Sequence, residues 1–245
     1  MLKWILKILK WFVCLFFASS ILAVVAYRFI PVPFTPLMFL RSVEQVRAGK
    51  SITWHHDWVS LDKMSKHMPV AVMASEDQLF LKHHGFDWEQ ICKAWEDNKT
   101  HKRKRGGSGI SQQTAKNVFL WPDRTLLRKG LETYFTILIE LFWSKQRIME
   151  VYLNSIEMGD GIYGVEAVAQ HHFHKPASAL TRSECALIAA TLPNPLLRNS
   201  AHPDTRTLRI KRHIEGQMKF MPTFPAKGED YDPNTSSGGI YHKKK

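Results

Sequence analysis

From Trp11 to Tyr27 the chain carries no charge and is almost wholly apolar (WFVCLFFASSILAVVAY). No polar face interrupts the run, so it suits neither an amphipathic surface helix nor the buried helix of a soluble domain. Its length is at the short end of a bilayer span. Lys3, Lys7 and Lys10 precede it, interleaved with Trp4, Ile5, Leu6, Ile8 and Leu9. Such lysines lay their stems along the helix and reach the headgroups, which lengthens the effective span. A cleaved signal peptide would have a shorter apolar core and a small-residue cleavage site, and no A-x-A pattern follows here. The expectation is therefore an uncleaved single-pass anchor over 11–30. Lysine-rich residues 1–10 lie in the cytoplasm and the rest of the chain lies on the other side.

The chain beyond the anchor is long enough for one ordinary domain plus extensions. The formal net charge of +12 suggests an anionic partner such as a membrane surface, a phosphorylated substrate or nucleic acid. Cys14, Cys92 and Cys185 are odd in number and show no CxxC or Cys/His spacing, which argues against a disulfide framework and a zinc site. Pro31, Pro33 and Pro36 mark a stiff linker, and 37–46 reads as a short amphipathic helix. The stretch from Ser51 to Leu61 reads as extended or irregular. Helical patterns then succeed one another over 64–84, 87–98, 109–119, 125–143, 145–157, 161–172 and 181–191, with another near 203–220. The class is mainly α, without alternating strands or internal repeats. The Pro-, Gly-, Ser- and Lys-rich residues 223–245 read as a disordered tail.

Three stretches carry candidate chemistry. In the first, Glu76, Phe80 and His83 fall at i, i+4 and i+7, on one face if the segment is a helix running to Gly85. Asp77 adjoins the carboxylate. In the second, Gly106-Gly-Ser-Gly-Ile-Ser-Gln-Gln-Thr-Ala-Lys-Asn117, the glycines permit close backbone approach and Ser108 is placed to cap the next helix. Gln112, Gln113, Lys116 and Asn117 follow on neighbouring surface positions, suited to an anionic ligand. The string lacks GxxxxGK[ST] and is not a P-loop. In the third, Arg128 and Lys129 fall at helical spacing from Glu132. Such pairs are common surface ion pairs, but Lys129 with Arg124 and Lys116 could converge on a pyrophosphate, with Glu132 orienting the cations. The run Lys102-Arg-Lys-Arg105 is too short to argue for nucleic acid, and His171, His172 and His174 lack a third-ligand spacing.

Taken together these stretches resemble the motifs of the peptidoglycan glycosyltransferases, glycosyltransferase family 51. Glu76-Asp77-x-x-Phe80-x-x-His83-x-Gly85, the Gly106–Asn117 string and Arg128-Lys-x-x-Glu132 match the first three motifs. Lys145-Gln-Arg-Ile-Met-Glu-Val-Tyr-Leu-Asn154 matches a fourth, and Gly159-Asp-Gly161 through Lys175-Pro176 resembles a fifth. The likeness runs from about Trp58 to Pro195, in order, and is nearest to the stand-alone membrane-anchored branch. Gly109 departs from the Thr usual there, and Ser111 replaces another Thr.

The resemblance implies a lysozyme-like catalytic domain over 61–222 and a small membrane-proximal jaw lobe over 31–60. It also implies a location at the bacterial inner membrane with a periplasmic catalytic domain. The partners it implies are lipid II, the growing lipid-linked glycan chain, the membrane and cell-wall synthesis proteins, with no nucleic acid. The reaction it implies is inverting β-1,4 glycosyl transfer with release of undecaprenyl pyrophosphate. Glu76 is then the general base, supported by Asp77, Phe80 and His83. Lys116, Arg124 and Lys129 stabilise the leaving pyrophosphate, Arg128 belongs with the substrate-binding residues, and Glu132 is the second acid. Ser108, Gln112, Gln113 and Asn117 line the cleft, while Glu150, Tyr152 and Asn154 buttress the fold. No cofactor is required and no protein-held metal is implied, though a divalent ion on the pyrophosphate is compatible. A muramidase or lytic transglycosylase is one rival, since a catalytic Glu on a helix also suits glycoside cleavage. A non-catalytic membrane-anchored scaffold is another. A transpeptidase module is not expected, because Ser60-Leu-Asp-Lys63 fits SxxK but no SxN or KTG follows.

Overall fold

A computed structural model describes residues 1–100, 107–123, 125–226, 228, 229 and 231. Arg124, the basic run 102–105 and most of the expected tail lie outside the described residues. The fold is mainly α, as expected. Helix α1 spans Leu2–Tyr27, so the helix starts well before the charge-free run. Lys3, Lys7 and Lys10 alternate with apolar residues and nothing between them breaks a helix. Among the described residues it is the one helix long and apolar enough to cross a membrane.

The C-terminal half of α1 is docked on the rest of the molecule. Ser20 Oγ lies 2.8 Å from the Tyr134 hydroxyl, and the rings of Phe16 and Phe17 pack on Tyr134 at 6.0 and 5.4 Å. The indole N–H of Trp143 donates to the Val24 carbonyl at 2.7 Å. The last carbonyls of a helix lack intrahelical donors, and the Arg147 guanidinium meets two carbonyls at and just past that end: it donates to Tyr27 O at 2.7 Å and to Ile30 O. A positive group there also complements the helix dipole.

Helix α2 (Pro36–Arg47) opens with Thr35 accepting from the Met38 N–H and Pro36 at its first position. Three short strands, β1 (His55–His56), β2 (Glu157–Gly159) and β3 (Ile162–Tyr163), form a small sheet in the order β1-β3-β2. β1 runs parallel to β3 and β2 antiparallel to it. The Arg41 guanidinium donates to Glu157 at 3.0 and 3.2 Å, which ties α2 to that sheet.

The remaining helices are α3 (His67–Glu76), α4 (Trp88–Thr100), α5 (Ile110–Phe119), α6 (Leu126–Phe142), α7 (Lys145–Ser155), α8 (Val165–Phe173), α9 (Arg182–Thr191) and α10 (Thr205–Gln217). α3, α9 and α10 pack together, and α5 packs between α6 and α7. α7 supplies the centre of the core, with Ile148, Met149, Val151, Tyr152 and Leu153 wholly buried. Two expected boundaries move. The helix expected over 64–84 ends at Glu76. The helix expected from 161 starts at Val165, because Ile162–Tyr163 form β3 and Gly164 turns the chain with φ +82°. A Cβ at Gly164 would lie 2.7 Å from the Asn154 carbonyl, so the turn needs glycine both for its angle and for its space.

The stretch expected to be extended or irregular is held by α7. The buried Asn154 amide accepts from Val59 N–H at 2.9 Å and donates to Val59 O at 2.9 Å and to Glu150 O at 2.8 Å. Glu150 accepts from Leu61 N–H at 2.9 Å and pairs with Arg147. Glu150 is thus engaged in the fold. Replacing Asn154 by Ala leaves the Val59 N–H and C=O without these partners. Asn154→Ala is expected to lower stability by about 2–4 kcal/mol, measured as the unfolding midpoint in detergent. An unchanged midpoint would show that α7 does not hold this segment.

Candidate active site

Glu76 is the last residue of α3 and half-buried. Its Oε1 accepts from Ser75 Oγ at 2.9 Å and its Oε2 from the Gln113 amide Nε2 at 3.0 Å. The same Nε2 lies 3.3 Å from the Ser108 carbonyl. The Gln113 carbonyl oxygen, in turn, accepts from the buried Tyr152 hydroxyl at 3.3 Å. The carboxylate therefore sits at the wall of a cleft of about 420 Å³, lined among others by Asp77, Lys93, Asp97, Ser108 and Gly109.

The shared face expected for Glu76, Phe80 and His83 does not form. The helix stops at Glu76, Asp77 takes an extended-type conformation (φ −160°, ψ 82°), and the following residues turn. Asp77 has the reason: its side chain is engaged twice, which competes with continuing the helix. Its Oδ1 lies 2.8 Å from His83 Nε2, and its Oδ2 accepts from the Ile110 backbone N–H at 3.0 Å. His83 thus positions Asp77 and not Glu76. Phe80 is wholly buried in the core, stacked at 6.4 Å on Phe224, with Lys145 Nζ 4.5 Å from its ring centre.

The cap of α5, expected at Ser108, belongs to Gly109. Asp77 supplies from the end of α3 the side-chain acceptor that Gly109 lacks. The Gln112 side chain accepts from the Gly109 N–H at 3.2 Å, so this nearly buried residue helps hold the loop. A Cβ at Gly109 would fall 2.2 Å from Asp77 Oδ2. With no Cβ, the glycine lets the Asp77 carboxylate approach this closely, and a larger residue here would require that side chain to shift.

The third stretch forms an ion cluster on α6 in which Arg128 and Glu132 are buried and Lys129 is exposed. Glu132, 2% exposed, accepts from Arg128 Nη1 at 2.6 Å and from Lys129 Nζ. Lys129 Nζ also donates to Ser108 Oγ at 3.2 Å. Burial pushes the Lys116 pKa below the ordinary lysine range. The Glu132 charge opposes that shift, and Arg128 and Lys129 reinforce it. Lys116, Asn117 and Arg128 line a second cleft of about 510 Å³ with Leu37, Arg41 and Glu157. The structure thus brings Glu76 and Ser108 to one cleft, with Gln113 bonded to Glu76 behind it, and Lys116, Asn117 and Arg128 to another. Lys129 bridges toward Ser108.

Both Glu132 oxygens are engaged by cations, and no group of three His, Cys, Asp or Glu able to hold a metal ion occurs among the described residues. The donor set here does not fit a metal held by Glu132. The histidines near 171 have other contacts. His171 lies ring to ring with His55 at 3.8 Å, and His172 Nδ1 is 2.7 Å from Ser200 Oγ.

Sequence reasoning missed Arg41 and Glu157, which pair across 116 positions, and Lys93 and Asp97, which line the Glu76 cleft from α4. No local spacing signals such contacts. Burial pushes the Glu157 carboxyl up, and the Arg41 guanidinium opposes that shift.

Comparison with known proteins points the same way. The family described as Transglycosylase matches residues 44–219. A biosynthetic peptidoglycan transglycosylase of Bacteroides thetaiotaomicron is 57% identical over 224 residues, covering 91% of this chain and 90% of that protein. Proteins of the same name from Bdellovibrio bacteriovorus and Pasteurella multocida are 55% and 47% identical. They cover 91% and 84% of this chain, and 87% and 85% of their own lengths.

The ion cluster can be tested without substrate. Glu132→Gln leaves Arg128, 8% exposed, without its counter-charge. Removing one partner of a buried pair costs about 3 kcal/mol or more. The Glu132→Gln protein is expected to unfold at a correspondingly lower denaturant midpoint. A midpoint equal to that of the wild type would mean that Arg128 finds solvent when released.

Proposed function

The chain belongs to the transglycosylase family, and from that premise we propose how its residues extend a peptidoglycan glycan strand. As a peptidoglycan glycosyltransferase it acts on lipid-linked glycan substrate. The acceptor is lipid II and the donor is the growing, lipid-linked chain end. Glu76 takes the proton from the acceptor C4 hydroxyl as that oxygen attacks C1 of the donor sugar. The bond from C1 to the pyrophosphate oxygen breaks, and the electron pair leaves with undecaprenyl pyrophosphate. A single displacement inverts the α donor bond to a β-1,4 linkage.

Lys116, Arg128 and Lys129 stabilise the charge that gathers on the leaving group. Such stabilisation is strongest when donors are already in place, and Glu132 orients Arg128 and Lys129 so that they are. Ser108 and Asn117 line the path of the substrate, and Arg124 belongs to the same cationic set by its place in the motif. Gln112 and Asp77 act by holding the loop, and Phe80 and His83 act behind them. The observation that carries this reading is the position of Ser108. Its carbonyl meets the amide that holds Glu76, and its hydroxyl meets Lys129. Base and cations therefore stand on two sides of one residue. A glycoside-cleaving enzyme would have no use for three cations on the leaving-group side.

Helix α1 anchors the enzyme in a membrane. We assign it to the inner membrane with the N-terminal lysines in the cytoplasm and the catalytic residues in the periplasm, on the strength of Lys3, Lys7 and Lys10. Residues 31–60 serve as linker and membrane-proximal lobe, and 61–222 as the catalytic domain.

Purified full-length protein in detergent is expected to convert labelled lipid II into polymer that muramidase degrades to disaccharide-peptides. Glu76→Gln is expected to reduce the rate by about a hundredfold or more. Polymer formed by Glu76→Gln at the wild-type rate would remove Glu76 as base.

The pH profile tests the cations separately. A lysine with a lowered pKa is charged below that pKa and loses its charge as the pH rises through it. The basic limb of activity should thus begin below the ordinary lysine range. Lys116→Arg, whose guanidinium keeps its charge throughout, is expected to move that limb to higher pH. A limb that stays in place assigns it to another group.

A further inference from the structure

Tyr152 is among the largest wholly buried side chains of the molecule, and a buried phenol needs a polar partner. Its O–H donates to Gln113 Oε1 at 3.3 Å. At the other end of that amide, Nε2 donates to Glu76 Oε2 at 3.0 Å and faces the Ser108 carbonyl at 3.3 Å. A carboxylate and a carbonyl only accept, so one orientation of the amide satisfies all three neighbours. In it the NH2 group faces Glu76 and Ser108, and the oxygen faces Tyr152. Turned over, the amide would set its oxygen against Glu76 and leave the Ser108 carbonyl and the Tyr152 O–H without these partners.

That alternative matters once in each turnover. When Glu76 has taken a proton it becomes a donor, and a turned amide could accept from it and hold the acid form. We propose that Tyr152 is a positioning residue for glycosyl transfer, fixing the Gln113 amide with its NH2 group on Glu76 so that the carboxylate returns to its charged, aimed state. The inference rests on Glu76 as the base. Tyr152 is suited to this as a permanent donor. Burial, together with the charges of Glu76 and Asp77, pushes its pKa well up, so it keeps its proton. The titratable and charged groups that bear on Glu76 are Asp77 beside it, Lys116 on α5 and Tyr152 on α7, with Asp87, Lys93 and Asp97 across the cleft. The motifs mark Gln113 as a cleft residue and Tyr152 as a buttress. Their separation of 39 positions hides the link between them.

Tyr152→Phe removes one hydroxyl and little volume. With full-length protein and lipid II, kcat is expected to fall about tenfold, with KM within about twofold and the thermal unfolding midpoint near that of the wild type. A hydrogen bond to the charged form favours that form, so its weakening is expected to move the acid limb of the kcat profile to higher pH. Gln113→Ala is expected to reproduce both effects, and the double variant to be no slower than the slower single one, since both act through one contact. Tyr152→Phe with wild-type kcat and pH profile, beside an inactive Glu76→Gln, would overturn the positioning role alone. Losses that multiply in the double variant would overturn it as well. So would a Tyr152→Phe protein that fails to fold, which would assign the hydroxyl to stability. Glu76→Gln active at the wild-type rate would remove the base and this inference with it.

Discussion

The carboxylate of Asp77 joins the two halves of the site. The first N–H groups of a helix have no partners within it, and α5 begins at a glycine with no side chain to offer. Asp77, the residue after the end of α3, accepts from the Ile110 N–H. An ionised acceptor at a helix N-terminus is favoured both by the hydrogen bond and by the dipole. One contact therefore fixes the end of the helix that carries Glu76 against the start of the helix that carries Gln113. His83 holds the other Asp77 oxygen, and Gly109 leaves the space the carboxylate occupies. The distance between Glu76 and the Gln113 amide depends on all three.

The cation cluster on α6 works by the same kind of mutual support. A lone carboxylate as buried as Glu132 would be strongly disfavoured. Arg128 and Lys129, one turn before it, supply the counter-charges. Burying such ions contributes little to stability in itself. What the pairing does fix is the position of both cations, with Lys129 reaching Ser108. Lys116 is close enough to feel Glu132, Arg128, Lys129 and Glu76 together. Charge on this cluster is thus a joint property of α5 and α6, and of the pH.

How much of this is legible in the sequence follows from the range of each interaction. Arg128, Lys129 and Glu132 pair within one helix, so their spacing alone places them together. Most helices follow their periodicity, and the C-terminal part of α1 follows its lack of charge. The pattern misleads over residues 77–85. There the spacing is helical, but Asp77 is drawn to a backbone N–H 33 positions away, which no local pattern contains. Arg41 with Glu157 and Tyr152 with Gln113 are invisible for the same reason. The family likeness groups Glu76 and His83 in one motif, and the structure separates their tasks. Glu76 faces the cleft, while His83 holds the residue that caps α5.

Helix α1 is part of this arrangement, because α6 carries both the cation cluster and the contact with α1. Tyr134 meets Ser20, Phe16 and Phe17 of α1, and lies two residues beyond Glu132 on the same helix. At 1.5 Å per residue, Lys129 and Tyr134 are about 8 Å apart along the axis. A helix is stiff over that length, so the cations cannot move far relative to α1 without breaking the contact. Trp143 and Arg147 fasten the C-terminal end of α1 by its carbonyls. A substrate whose pyrophosphate is tied to a membrane lipid presents that group at a limited height. On the reading proposed above, in which α1 spans the membrane and the cations meet the pyrophosphate, one rigid helix fixes the cations at that height, whereas a flexible tether would leave it to chance.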